Sequence, residues 1–312
     1  MKILIVGAGA IGGYFGGRLL EKGEDVTFLV REKRQQQLRE NGLVVESIHG
    51  DMHFTEPKTV LAGENVEPFD VVLVSTKAYH LESAIEDIKP YVEDKTMVLP
   101  LLNGIAHLDV LTEAFGPEKV IGGLCFIETT LTQDGKIVHT SPIHDFVFGE
   151  RNGVKTERIL KLEETFIGTK ASLRLSEKID QEMWHKYLFI TSLSGITSLF
   201  RSPIGPIRDQ EHGWKTIENL VHETAAIMET IGATLAEGAM ETTLGRLKEI
   251  GHGMKSSLQR DMEKSLLTEA DHLFGYLLEN AEKLELMAPV LSGIYANVKI
   301  YESGLAAGKN QR

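Results

Sequence analysis

An α/β domain followed by an all-helical domain is the fold class that the sequence predicts. Three observations support it: a glycine-rich turn lies between an apolar run and a helical pattern at the N-terminus, strand-like and helical patterns alternate as far as about residue 175, and helical patterns alone continue beyond it. Such alternation favours a mostly parallel sheet. A chain of 312 residues is long enough for two domains, and we place them at 1–175 and 176–312.

The N-terminal segment carries the strongest local pattern. An apolar run over residues 2–6 is followed by glycines with the spacing Gly7-x-Gly9-x-x-Gly12, by a helical stretch, and by a second apolar run over residues 25–30. A strand, a glycine turn, a helix and a second strand in this order form the dinucleotide-binding unit of the Rossmann fold.

Each glycine has its own task in such a unit. Gly7 allows the tight turn, Gly9 lets the backbone approach a pyrophosphate, and Gly12 lets the helix pack close to the strand. The helix N-terminus then offers free N–H groups and a positive dipole end to the phosphates. The residues expected to bind the cofactor here are Gly7, Ala8, Gly9, Ala10, Ile11 and Gly12.

The end of the second strand indicates which nucleotide is bound. An acid there would bind the ribose 2′-hydroxyl of NAD(H), whereas an arginine accommodates the 2′-phosphate of NADP(H). Arg31 occupies this position, with Lys33 and Arg34 close by, and a guanidinium binds phosphate through charge-assisted hydrogen bonds. The sequence therefore favours NADP(H). Glu32 keeps NAD(H) open, because a strand ending one residue later would bring an acid into play.

Polar residues that follow the buried strands are the next candidates, because ligands of open parallel sheets bind at the carboxyl ends of the strands. Lys77 follows the apolar run 70–76, and Asn103 follows the run 96–102. Each also has a simpler interpretation, since Lys77 could be a solvated loop lysine and Asn103-Gly104 an ordinary turn.

In the second domain, Lys186 lies within the largely apolar segment 183–190. A lysine in such surroundings either extends its ammonium to solvent or is held there for a purpose. Glu269 could be merely an acidic residue of a helical first turn. The pair Ser256-Ser257 could be a helix N-cap.

Composition excludes several classes of function. The formal net charge of −12 argues against nucleic-acid or anionic-membrane partners, which require a basic face. The single cysteine, Cys125, excludes an internal disulfide framework and fits a reducing compartment. The apolar runs are too short to span a bilayer, and we expect a cytoplasmic protein. No HExxH motif occurs, and no metal site is expected.

Several short motifs together give the chain a recognisable likeness. They are residues 2–12, Ser75-Thr76-Lys77, Leu102-Asn103-Gly104, Trp184-His185-Lys186, residues 256–261 and residues 268–271. Over its whole length the chain resembles the ketopantoate reductase family (2-dehydropantoate 2-reductases). The resemblance implies a Rossmann domain joined to a helical domain, with the active site in the cleft between them.

The resemblance also implies a role for each candidate. The glycines would hold the pyrophosphate, Arg31 would meet the 2′-phosphate, and Lys77 and Asn103 would line the nicotinamide end. Lys186 would be the general acid, helped by Glu269. The residues implied to bind substrate are Asn103, Lys186, Ser194, Ser257 and Glu269.

The chain departs from the family pattern at one face of a helix. The family has asparagines four and eight residues after the catalytic lysine, where this sequence has Ile190 and Ser194. Isoleucine makes no side-chain hydrogen bond, and losing a substrate amide weakens discrimination for the hydroxyl it contacted. The reaction class is therefore more firmly predicted than the substrate.

The resemblance, together with this departure from it, implies three possible functions. The leading one is NADPH-dependent reduction of 2-dehydropantoate (ketopantoate) to pantoate, as in pantothenate biosynthesis. The alternatives are a paralogous reductase of another 2-keto acid and a non-catalytic NADP(H)-binding sensor. The expected partner is a small 2-keto acid, and the apolar faces of the helical domain are compatible with a homodimer.

Overall fold

The computed structural model describes residues 1–309, with side chains through residue 306. The strands are β1 Lys2–Val6, β2 Asp25–Leu29, β3 Leu43–Ser47, β4 Met52–Phe54, β5 Lys58–Val60, β6 Val71–Val74, β7 Met97–Pro100, β8 Gly122–Leu131, β9 Ile137–Gly149 and β10 Ser172–Leu175. The helices are α1 Ala10–Lys22, α2 Glu32–Asn41, α3 Leu81–Ile88, α4 His107–Phe115, α5 Glu157–Phe166, α6 Ile179–Phe200, α7 Ile204–Arg208, α8 Glu211–Thr230, α9 Ala239–Glu249, α10 Ser257–Glu263, α11 Tyr276–Lys283 and α12 Pro289–Lys309. A π-helix, Asp271–Gly275, leads into α11.

The chain forms two compact units. Met1–Leu102 and His107–Asp180 make the first, and Asn103–Ala106 joins the chain from Gln181 onward in the second. The fold class predicted from the sequence, an α/β part followed by a helical part, is confirmed. The domain boundary after residue 175 stays a prediction.

The first unit contains two sheets. One is entirely parallel, in the order β5-β2-β1-β6-β7, which is the strand order of a doubly wound dinucleotide-binding sheet. Its central strands are buried almost throughout, as expected when helices cover both faces of a parallel sheet. The second sheet has the order β10-β9-β3-β4, with β8 paired antiparallel to β9.

Helix α1 packs tightly between these sheets because small residues let both approach it. A Cβ atom at Gly16 would lie 2.6 Å from the ring of Phe28 on β2, and one at Gly13 would lie 2.3 Å from Ile137 on β9. A methyl group at either position would force core atoms apart. The glycines of α1 therefore fix the position of the helix whose N-terminus follows the Gly7 turn.

The second unit is helical. Helix α8 packs against α7, α9, α11 and α12. Helix α6 is buried over most of its length and contains several buried hydroxyl residues; the Ser192 hydroxyl donates to the Leu188 carbonyl at 2.8 Å, which satisfies it inside the helix. None of the helices within residues 1–309 combines the length and apolarity that crossing a bilayer requires.

Candidate functional site

The glycine turn leaves β1 at the carboxyl edge of the parallel sheet. Gly7 has φ of +92°, a left-handed conformation that favours glycine, and its N–H donates to the Leu29 carbonyl at 2.9 Å. A Cβ atom at Gly12 would lie 2.2 Å from both the Gly7 carbonyl oxygen and Ser75 Oγ. The helix can therefore begin this close to the strands only if residue 12 is glycine.

Gly9 is the N-cap of α1, and a Cβ atom there would meet nothing within 4 Å. The backbone at Gly9 is thus open on the side to which a side chain would project. Ala8 is buried, whereas Ala10 and Ile11 are half-buried. Backbone that can be approached this closely at a helix N-terminus has the character of a phosphate site.

Arg31 and Lys77 reach the same edge of the first unit. Arg31 follows β2, which pairs with β1, and Lys77 follows β6, which pairs with β1 on its other side. Arg31 is exposed at the N-cap of α2, and its Nη2 lies 3.4 Å from His80 Nδ1. Burial, and then the charge of Arg31, lower the pKa of His80 below its ordinary value, which favours a neutral imidazole beside the guanidinium.

Arg34 also belongs to this edge. Its Nε donates to the Ala8 carbonyl at 2.9 Å, and its Nη1 donates to the Gly135 carbonyl at 2.8 Å. Burial lowers the pKa of the Arg34 guanidinium. The sequence interpretation treated Arg34 only as extra positive charge; its position three residues after Arg31, on the first turn of α2, was the signal available.

The remaining candidates belong to the second unit. Lys186 on α6 is 5% exposed. The next residue, Tyr187, is fully buried, and its hydroxyl donates to the Leu273 carbonyl of the π-helix at 2.8 Å. Ser194 is buried and Ile190 half-buried on the same helix.

Glu269 is half-buried and lies two residues before the π-helix, where the Leu273 N–H donates to its carbonyl at 2.9 Å. Asp271 accepts from the Tyr295 hydroxyl at 2.7 Å and pairs with Lys299 at 3.0 Å. These contacts tie the segment to α12. A π-helix shifts the register of side chains and occurs often at functional sites.

His272 is a residue that the sequence interpretation did not single out. Its ring hydrogen bonds to the backbone of Asn103, and a Cβ atom at Gly104 would lie 2.9 Å from its Cδ2. Burial lowers the pKa of His272, while the nearby charge of Glu269 opposes that shift. Asn103 and Glu269 therefore both adjoin this imidazole. We call Asn103, Tyr187, Glu269, His272 and Leu273 the π-helix cluster.

The two serines before α10 have different surroundings. Ser256 is buried; its Oγ accepts from the Gln259 N–H at 3.1 Å and lies 2.8 Å from Thr197 Oγ1. It is the N-cap of α10. Ser257, the implied substrate contact, is exposed on the first turn of that helix.

Comparison with known protein families identifies the family of this chain. The family described as ketopantoate reductase PanE/ApbA matches residues 3–153, and its C-terminal counterpart matches residues 178–302. The chain belongs to the ketopantoate reductase family. It is an oxidoreductase of that family, and the resemblance stated from the sequence is confirmed.

Three known proteins show what this chain is similar to. The chain is 48% identical to the uncharacterized oxidoreductase YkpB of Bacillus subtilis, covering 97% of this chain and 99% of YkpB. A 2-dehydropantoate 2-reductase structure from Geobacter metallireducens is 28% identical, with a TM-score of 0.86 over 96% of this chain and 99% of that one. A D-mandelate dehydrogenase structure with NADH and anilino(oxo)acetate shares the fold at 22% identity, with a TM-score of 0.87 over 98% of this chain and 100% of that one.

Proposed function

We propose that this chain reduces 2-dehydropantoate to pantoate with NADPH. The observation that carries the proposal is the π-helix cluster of the second unit. Asn103 and Glu269 adjoin His272, and the helix that carries Lys186 is bound to the same π-helix through Tyr187. The π-helix and the segments bound to it thus carry a carboxylate, an amide residue and the helix of a buried lysine. An ammonium, a carboxylate and an amide are the groups that carbonyl reduction requires.

The first unit has the features of a dinucleotide site. The glycine turn leaves its backbone open to a ligand at Gly9, where a Cβ atom would meet nothing within 4 Å. Thr76 Oγ1, beyond β6, is buried and makes no hydrogen bond with the described residues, so a polar ligand group at this edge would satisfy it. Gly7 to Gly12 would hold the pyrophosphate, and Lys77 would line the nicotinamide end. Bound NADPH supplies the hydride that is added to the carbonyl carbon.

Lys186 would donate the proton. Addition of hydride to a 2-keto carbon leaves negative charge on the carbonyl oxygen, and a positioned ammonium stabilises that charge and protonates the oxygen to the hydroxyl. Water then returns the proton to the amine. Burial of Lys186 excludes water from this contact and strengthens the field of the ammonium. Glu269 would orient the lysine, and Ser257 would bind the substrate carboxylate.

Arg31 supports NADPH over NADH. It lies outside α2 at the end of β2 with its side chain exposed, while Glu32 is already the first residue of the helix. The strand ends at Leu29, so the arginine is nearer to the strand end along the chain than the acid is. A 2′-phosphate could accept two hydrogen bonds from the guanidinium.

One observation favours a second substrate class. Ile190 lies one helical turn beyond Lys186 and is half-buried, so this face offers apolar contact where the family has an amide. That surface suits a 2-keto acid with a more apolar side chain. The D-mandelate dehydrogenase that shares the fold is named for an aromatic 2-hydroxy acid. A non-catalytic NADP(H) sensor would keep the glycine turn but would not need the buried Lys186.

A screen of 2-keto acids separates these functions. Purified enzyme is mixed with NADPH and with 2-dehydropantoate, phenylglyoxylate, 2-ketoisovalerate or pyruvate, and the loss of NADPH absorbance is followed. The proposal predicts the highest kcat/KM with 2-dehydropantoate. Preference for phenylglyoxylate would establish the apolar alternative, and NADPH binding without turnover of any keto acid would establish the sensor. The expected homodimer stays a prediction that sedimentation analysis can test.

A further inference from the structure

Arg34 joins three segments of the first unit through one guanidinium. It stands on the first turn of α2, its Nε donates to the Ala8 carbonyl of the glycine turn at 2.9 Å, and its Nη1 donates to Gly135 at 2.8 Å. Gly135 has φ of +88° and lies in the turn between β8 and β9; a Cβ atom there would come within 2.5 Å of Nη1. The hairpin turn is therefore shaped to receive this side chain.

The third nitrogen of the guanidinium, Nη2, indicates that Arg34 has a purpose other than folding stability. Arg34 Nη2 is buried and has no hydrogen-bond partner among the residues that the structure describes. A buried donor that lacks a partner lowers folding stability, and taking a cation out of water is costly as well. A smaller residue would avoid both costs. The contact with Ala8 offers such a purpose.

That consequence follows from the planarity of the peptide group. In a trans peptide the carbonyl and the N–H of the next residue point in opposite directions. A guanidinium that holds the Ala8 carbonyl on the α2 side therefore directs the Gly9 N–H away from α2. A Cβ atom at Gly9 would meet nothing within 4 Å, so a phosphate can approach this peptide closely and accept from its N–H.

We propose that Arg34 is a positioning residue that orients the Ala8–Gly9 peptide for the pyrophosphate. The proposal rests on the dinucleotide site proposed above and assigns Arg34 a task different from that of Arg31. Arg31 faces the position of the 2′-phosphate, which only NADPH carries. Arg34 acts on the pyrophosphate, which NADPH and NADH share. Loss of Arg34 therefore weakens both nucleotides by the same factor.

Equilibrium binding of NADPH and NADH, followed by nicotinamide fluorescence in the absence of keto acid, tests this assignment. For Arg34→Ala we expect the Kd of both nucleotides to rise about tenfold, with their ratio unchanged. Arg34→Lys keeps one donor and should recover part of the affinity. Arg39→Ala removes an exposed arginine from the same helix and is the matched control, with no expected change. Melting temperatures show which variants remain folded.

The outcomes separate the positioning role of Arg34 from the dinucleotide site itself. Wild-type affinity for both nucleotides in folded Arg34→Ala overturns the positioning role alone. If the alanine variant does not fold, Arg34→Met, which keeps a long side chain without donors, serves the same purpose. A loss confined to NADPH also overturns it and makes Arg34 a ligand of the 2′-phosphate. Failure of the wild-type chain to bind either nucleotide overturns the dinucleotide site itself, and the role of Arg34 with it.

Discussion

The glycine turn and the π-helix cluster differ in the range of sequence that builds them. In the glycine turn, the tightest contact at the helix entry, Gly12 against the Gly7 carbonyl, lies within one short motif. In the π-helix cluster, Tyr187 donates to Leu273, 86 residues away in the sequence, and His272 contacts Asn103, which is still farther away. The proposed nucleotide site is thus encoded largely by a local motif, whereas the proposed site for the reacting group depends on tertiary packing.

From this contrast we expect mutations in the π-helix region to change turnover and mutations near the glycine turn to change nucleotide affinity. Replacing Lys186 with alanine should lower kcat by about a thousandfold or more with any accepted keto acid, because a general acid contributes on the order of 10²–10⁴-fold and its charge also stabilises the oxyanion. The Kd for NADPH should stay near the wild-type value. Stopped-flow turnover and nucleotide titration measure the two quantities separately.

Exposed Lys178 offers a matched control, since Lys178→Ala removes a lysine that precedes the same helix α6. It should leave kcat unchanged. Wild-type turnover in Lys186→Ala would remove the catalytic assignment, and an equal loss of NADPH affinity would contradict the division between the two regions.

Arg31→Ala tests the proposed nucleotide site of the first unit. The substitution removes the exposed guanidinium and with it the proposed charge-assisted hydrogen bonds to the 2′-phosphate. We therefore expect the Kd for NADPH to rise roughly ten- to hundredfold and the Kd for NADH to change little. Lys33→Ala, which removes a neighbouring exposed cation, should have a small effect on either nucleotide. Equal weakening of both nucleotides by Arg31→Ala would exclude the 2′-phosphate role.

These regions also show how far the sequence could lead. The spacing of Gly7, Gly9 and Gly12 predicted the strand, turn and helix correctly, because each glycine satisfies a steric requirement that is local. The second sheet, with its parallel pairing of β3 to β9, was not predicted, because strand partners far apart in sequence leave no periodic signal. For the same reason His272 was missed: nothing in its immediate neighbours indicates a contact with Asn103.

Replacing His272 tests whether the π-helix cluster matters to the reaction. His272→Ala removes the ring that hydrogen bonds to the Asn103 backbone and packs against Gly104. We expect about a tenfold lower kcat/KM for the keto acid, which corresponds to the loss of one hydrogen bond. His222→Ala makes the same substitution at an exposed position of α8 and should be silent. Identical kinetics in the two variants would mean that the cluster only supports the fold.

The first unit has its own group of residues that local spacing does not reveal. The rings of His49 and His144 stack at 3.9 Å between centroids, and the Tyr14 hydroxyl lies 2.7 Å from His144 Nδ1. Burial, followed by the charges of His49, His139 and Arg18, lowers the pKa of His144 to about 4. The group lies at the second sheet and contains none of the proposed site residues.

We therefore expect this group to affect stability and leave activity unchanged. An unfolded histidine titrates near pH 6.5, so between about pH 6.5 and pH 4 the unfolded chain binds a proton that folded His144 does not. Stability is fully present above pH 6.5 and decreases as pH falls through this window. The wild-type free energy of unfolding should lose about 1 kcal/mol more than that of His144→Gln between pH 7.5 and pH 5.5, because glutamine does not titrate there. Urea unfolding at the two pH values measures this difference, and parallel losses in the two proteins would show that His144 does not titrate on unfolding.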